Sequence, residues 1–109
     1  MPKGVDVAPN RWSNRTVLYD DGDYSVVSGT FQPQGGPPRH ALGERWNGSE
    51  TSLGFPNQAV HPLWHVVPSF LARPILHAIL DRTLQINGSA AQERVQAITE
   101  EIRHWLDAK

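Results

Sequence analysis

The sequence predicts an α+β fold: an antiparallel sheet of about four strands, followed by two C-terminal helices packed on one face. Three observations carry this expectation. β-rich runs fill the first two thirds of the chain. An Asp-Gly pair separates the first two runs. After Pro68 the apolar residues switch to a helical spacing.

The 109 residues fit one domain, with an N-terminal arm over residues 1–11 and the folded part over 12–109. The arm holds two prolines and little periodicity, so it reads as flexible. The first strands come from "RTVLYDDGDYSVVSGTF", as Thr16–Asp20 and Asp23–Phe31 around Asp21-Gly22. Asp-Gly suits a two-residue type I′ turn, which needs positive φ at both central positions. That register sets Tyr19 against Tyr24 and Val17 against Val26, and it also sets Asp20 against Asp23. Like charges so placed cost stability, so either the loop is wider or a cation or basic group sits there. An EF-hand reading of "DDGD" lacks the alternating ligands and distal glutamate of that loop, and the turn reading is preferred.

The run "QPQGGPPR" cannot continue a central strand. A third strand is expected over Leu42–Trp46, stopped by Asn47-Gly48, and a long connection over residues 48–60 follows. "HPLWHVVP" then supplies a fourth strand between prolines. Beyond it, Pro74 suits a first helical position, so a helix is expected to start there after a short Ser69–Arg73 turn. Its apolar stripe is Ile75, Leu76, Ile79, Leu80 and Leu84, and Asn87-Gly88 ends it. Ser89 and Gln92 form a capping box for the last helix. That helix runs to about residue 107. Val95, Ile98, Ile102, Trp105 and Leu106 face inward, and Glu93, Arg94, Glu100, Glu101 and Arg103 face outward.

Composition narrows the function. Ten basic and eleven acidic residues give a net charge of −1, without the basic excess of a duplex DNA binder. The scattered arginines do not form a groove, so nucleic acid is disfavoured as a partner. Without cysteine there are no disulfides, thiol nucleophiles or cysteine metal sites, which suits a cytoplasmic setting. No apolar run is long enough to span a membrane. "NGS" at Asn47 and Asn87 reads as turns rather than glycosylation sites. Phosphate-cradle and nucleophile-elbow motifs are missing, and no cofactor is implied.

"HPLWH" raises a metal question, because His61 and His65 are four residues apart. On a strand that spacing separates them by about 13 Å, at roughly 3.3 Å per residue. Zn–N bonds of about 2 Å do not close such a gap, so no metal site is expected. His65 keeps a separate interest. Pairing of the third and fourth strands brings Glu44 or Arg45 opposite it, and a carboxylate beside an imidazole is an acid–base candidate. The four tryptophans suggest an aromatic-lined pocket or a subunit interface. The ligand-binding candidates are therefore Trp46, Trp64, His65, Glu44, Arg45, Tyr19 and Tyr24.

The runs "NRTVLYDDGDYSVV", "LGERWNG" and "GFPNQAVHPLWHVVP" resemble small bacterial proteins of the mobile integron gene-cassette type, over roughly residues 11–84. The resemblance implies a bacterial, cytoplasmic α+β protein, often oligomeric, with no established reaction and no catalytic residue to carry over. Two functions remain. One is a small homo-oligomeric binding module, a dimer or tetramer, with a possible small-molecule ligand. The alternative is a small hydrolase or isomerase using His65 with Glu44 as its acid–base pair.

Overall fold

A computed structural model of the protein describes residues 11–33, 35–48, 54–55, 57–58, 61–62, 64–85 and 89–107. The chain is α+β, with a four-stranded antiparallel sheet followed by two helices. It divides after Val67 into two compact units. All of the proposed arm except Arg11 lies outside the described residues. Arg11 itself is tied down, because its carbonyl accepts the Gln32 amide at 2.9 Å.

The sheet has the order β1-β2-β3-β6, with β1 Trp12–Asp20, β2 Tyr24–Phe31, β3 Arg39–Trp46 and β6 His65–Val66. Between β3 and β6, β4 (Asn57–Gln58) and β5 (His61–Pro62) form a separate two-stranded ribbon. The expected fourth strand is therefore split. Pro62 can give no amide to a continuing ladder, and His61 and His65 fall in different sheets.

The β1–β2 hairpin is wider than a two-residue turn. Asp20 pairs with Ser25, which leaves Asp21–Tyr24 as the closing loop, and Tyr19 faces Val26 while Val17 faces Val27. The aspartates cause this. The Asp21 carboxylate accepts the amides of Asp23 and Tyr24, both at 2.9 Å, and the Asp20 carboxylate accepts that of Gly22 at 3.0 Å. Such side-chain acceptors compete with the ladder and set the turn. Asp20 and Asp23 are not cross-strand partners, so the expected like-charge clash does not arise. The free edge of β1 is interrupted by register shifts around Asn14, which has φ of 52°. A kinked edge of this kind resists pairing with another chain.

β2 and β3 pair without a break from Tyr24↔Trp46 to Phe31↔Arg39, so β3 begins three residues before the expected Leu42. Alternation then sorts the side chains. One face holds Val27 and Ala41, which pack with Trp12 and Trp64 as a buried cluster, flanked by Phe31 and Val66. Burying one tryptophan removes about 150–250 Å² from water, about 4–6 kcal/mol before entropy losses. Gly43 sits beneath the Trp12 indole and beside the Trp64 Cβ, where an added Cβ would be tightly packed, 3.0 Å from Trp12 and 3.1 Å from Trp64.

The second unit holds α1 (Ser69–Leu84) and α2 (Ser89–Asp107), which pack on one another. α1 starts five residues before the expected Pro74, which lies inside it. The proline deprives only the carbonyl of Phe70, in the exposed first turn, of its helical donor. The buried stripe of α1 is Ala72, Leu76, Ile79 and Thr83, while Leu84 is exposed. In α2, Ile98 and Ile102 are buried as expected and Leu106 is exposed. Glu101, expected on the outer face, is buried and accepts the Trp105 indole N–H at 3.0 Å. The stop at Asn87-Gly88 lies outside the described residues. Among those residues, no helix is long and apolar enough to cross a membrane.

Candidate functional site

The face of the sheet opposite the tryptophan cluster carries Tyr24, Glu44, Trp46 and His65. Each follows from the register. Tyr24 lies across from Trp46, and their rings stand 5.1 Å apart at 57°. Glu44 lies across from His65. The chain returns from the long connection to pair Phe55 with Trp46 by two backbone hydrogen bonds of 2.8 and 2.9 Å. Three aromatic residues thus stand in a row across this end of the sheet. Trp46 is 58% exposed and Phe55 66% exposed.

That return depends on Gly54. Its φ is +79°, and an added Cβ would lie 2.0 Å from the Trp46 carbonyl oxygen. Neither the conformation nor the approach admits a side chain. The other support is Asn47. Its side chain is buried, accepts from the Ser25 hydroxyl at 2.7 Å and donates to Asp20 at 2.9 Å. Its amide donates to the Asp23 carbonyl at 2.7 Å. The hairpin loop is thereby latched to the end of β3, directly beside Trp46.

Glu44 links two groups. The Tyr24 hydroxyl donates to its Oε1 at 3.1 Å, and His65 Nδ1 lies 3.9 Å from its Oε2. The second distance permits ion pairing with a protonated imidazole, but it is too long for a hydrogen bond. Burial and the neighbouring Glu44 carboxylate hold the Tyr24 phenol above its ordinary value. Closing that gap to a hydrogen bond would hold the proton on Nδ1 and leave Nε2 as an acceptor. The array is open, because His65 is 61% exposed and Glu44 29%.

The register places five of the seven sequence candidates on this face and turns Trp64 and Arg45 away from it. Trp64 lies in the core on the opposite face, so the tryptophans do not line one pocket. Arg45 also points away from Glu44 and is almost fully buried. Burial depresses its pKa, and its Nε finds no hydrogen-bond partner among the described residues. The same alternation that presents Glu44 to His65 turns Arg45 inward. Tyr19 pairs with Val26, in the same cross-strand row as Glu44 and His65, but it is buried and its hydroxyl donates to Asp21 at 2.9 Å. Sequence reasoning missed Phe55 and Asn47. A long loop gives no register for the first, and Asn-Gly reads as a plain turn for the second.

No family model, curated protein or solved structure matches this chain, so its function is read from geometry.

Proposed function

We propose that the protein is a small homo-oligomeric interaction module whose recognition surface is the aromatic end of its sheet. The observation that supports this reading is the exposure of Trp46 and Phe55, two large rings held side by side by paired backbone. Isolated exposed apolar residues are common on protein surfaces, whereas contiguous aromatic patches mark interaction sites. Tyr24 extends the patch, and Glu44 and His65 give it a polar border. A core of aromatic rings with a charged rim is the composition of protein interfaces. Self-association is a separate part of the proposal. It rests on further exposed apolar side chains in the helical unit, with Phe70 at 77% and Leu84 at 60%.

Sedimentation velocity from low to high micromolar concentration tests the assembly, and a chain that stays monomeric throughout contradicts it. The double variant Trp46→Ala/Phe55→Ala tests the surface. A recognition role leaves the fold stable to within about 1.5 kcal/mol, the upper value for one aromatic pair. A larger loss would make these rings structural.

A second reading is favoured by one observation, the Tyr24–Glu44–His65 array. It makes His65 Nε2 a general base oriented by Glu44, as in a small hydrolase or isomerase. A panel of activated esters, run on wild type and His65→Ala, tests this. Turnover unaffected by the substitution would remove the reading.

A further inference from the structure

The outward side of α1 carries an ordered stripe: Phe70, Arg73, Pro74, His77, Asp81 and Leu84. All six are exposed. At 100° per residue they lie on one helix face, opposite the buried stripe of Ala72, Leu76, Ile79 and Thr83. Phe70, Arg73, Pro74 and His77 also line a shallow open depression. Four residues at i, i+3, i+4 and i+7 are the walls of a hole that a knob from a facing helix fills.

The stripe is symmetric about its centre. Reversing α1 around His77 places Phe70 against Leu84, and Arg73 against Asp81. Apolar then meets apolar, and positive meets negative, at both ends of the contact. No ion pair or hydrogen bond engages the side chain of Arg73 or Asp81 among the described residues. This is the self-complementarity that a two-fold contact requires, in which residue i meets residue j and j meets i.

We propose that two copies of the chain associate through an antiparallel α1–α1 contact centred on His77. Phe70 packs against Leu84 of the partner subunit, and Arg73 pairs with the partner's Asp81. The Leu80–Asp81 turn of one copy covers the depression of the other. The proposal rests on the self-association reading above and specifies its geometry. The stripe from Phe70 to Leu84 is about 21 Å long at 1.5 Å per residue. One helix pair of that length is a small interface, and a micromolar dimer is expected.

Sedimentation equilibrium of the full chain tests it with charge variants. Arg73→Asp puts two like-charged carboxylate pairs into the dimer, and Asp81→Arg two like-charged guanidinium pairs. Each is expected to weaken association by at least about tenfold. An equimolar mixture of the two single variants should associate again, because every pair across the contact is then of opposite sign. Arg73→Asp/Asp81→Arg in one chain should do the same. Phe70→Ala, which removes a largely exposed ring, should weaken the dimer without unfolding the chain. A wild type that dimerises while the single reversals dimerise equally well overturns the helix contact and leaves self-association standing. Failure of the mixed variants to associate, with each folded by circular dichroism, overturns the antiparallel arrangement. A wild type that is monomeric throughout overturns both.

Discussion

Asn47→Ala is the perturbation that most directly tests how the recognition surface is held. The substitution keeps the Asn47 amide bond to Asp23 and removes two side-chain bonds, one from Ser25 at 2.7 Å and one to Asp20 at 2.9 Å. The Ser25 hydroxyl is fully buried, so water does not replace its acceptor. An orphaned buried polar group costs about 1–3 kcal/mol. Asp20 is half-buried and keeps the Gly22 amide, so its loss is nearer the ordinary hydrogen-bond value of about 0.5–1.5 kcal/mol. Together they predict a destabilisation of about 2–4 kcal/mol, or roughly 10–25 °C in Tm. Urea unfolding followed by tryptophan fluorescence measures it, because Trp12 and Trp64 report on the sheet core. A double-mutant cycle with Ser25→Ala isolates the pair and should return a coupling of about 1–2 kcal/mol. A loss below about 0.5 kcal/mol, or zero coupling, would refute the latch.

Three further outcomes follow from the same geometry. Gly43→Ala must push against Trp12, Trp64 and Val27 and should cost about 1–3 kcal/mol by urea titration. Gly54→Ala forces a left-handed backbone and a clash with Trp46; it should cost more than about 2 kcal/mol and speed amide exchange at Phe55 and Trp46. The Tyr24 phenol is held above its ordinary value of 10.0 by burial and then by Glu44, so it binds its proton more tightly folded than unfolded. Its contribution to stability is complete below about pH 10 and is lost as pH rises toward the folded-state value. Tyr24→Phe should flatten that alkaline decline, and Glu44→Gln should bring phenol ionisation at 295 nm to lower pH.

The sheet and helices were legible because their signals are local. β-branched and aromatic runs gave β1–β3, and the switch of period at Pro68 gave α1 and α2. The strand pairing opposite His65 was legible only as far as Glu44 or Arg45; the register, which alternation alone does not fix, selects Glu44. What was not legible depends on side chains acting on backbone. Three aspartate contacts widened the hairpin and shifted Tyr19 from Tyr24 to Val26. Pro74 was tolerated because the carbonyl it deprives lies in an exposed first turn. Periodicity marks Leu84 as apolar, but it does not say that the buried stripe passes through Thr83 instead. The Trp46–Phe55 pair needs a long loop to return to β3, which no local pattern encodes.

The central claim is a division of surfaces: the α1 stripe is covered by a second copy, and the aromatic end of the sheet stays open for another partner. Hydroxyl-radical footprinting at concentrations below and above assembly, read residue by residue by mass spectrometry, tests it most directly. On assembly, Phe70 and Leu84 should lose reactivity while Trp46 and Phe55 keep theirs. Protection of Trp46 and Phe55, with Phe70 still labelled, would contradict the account and make the aromatic end the subunit contact.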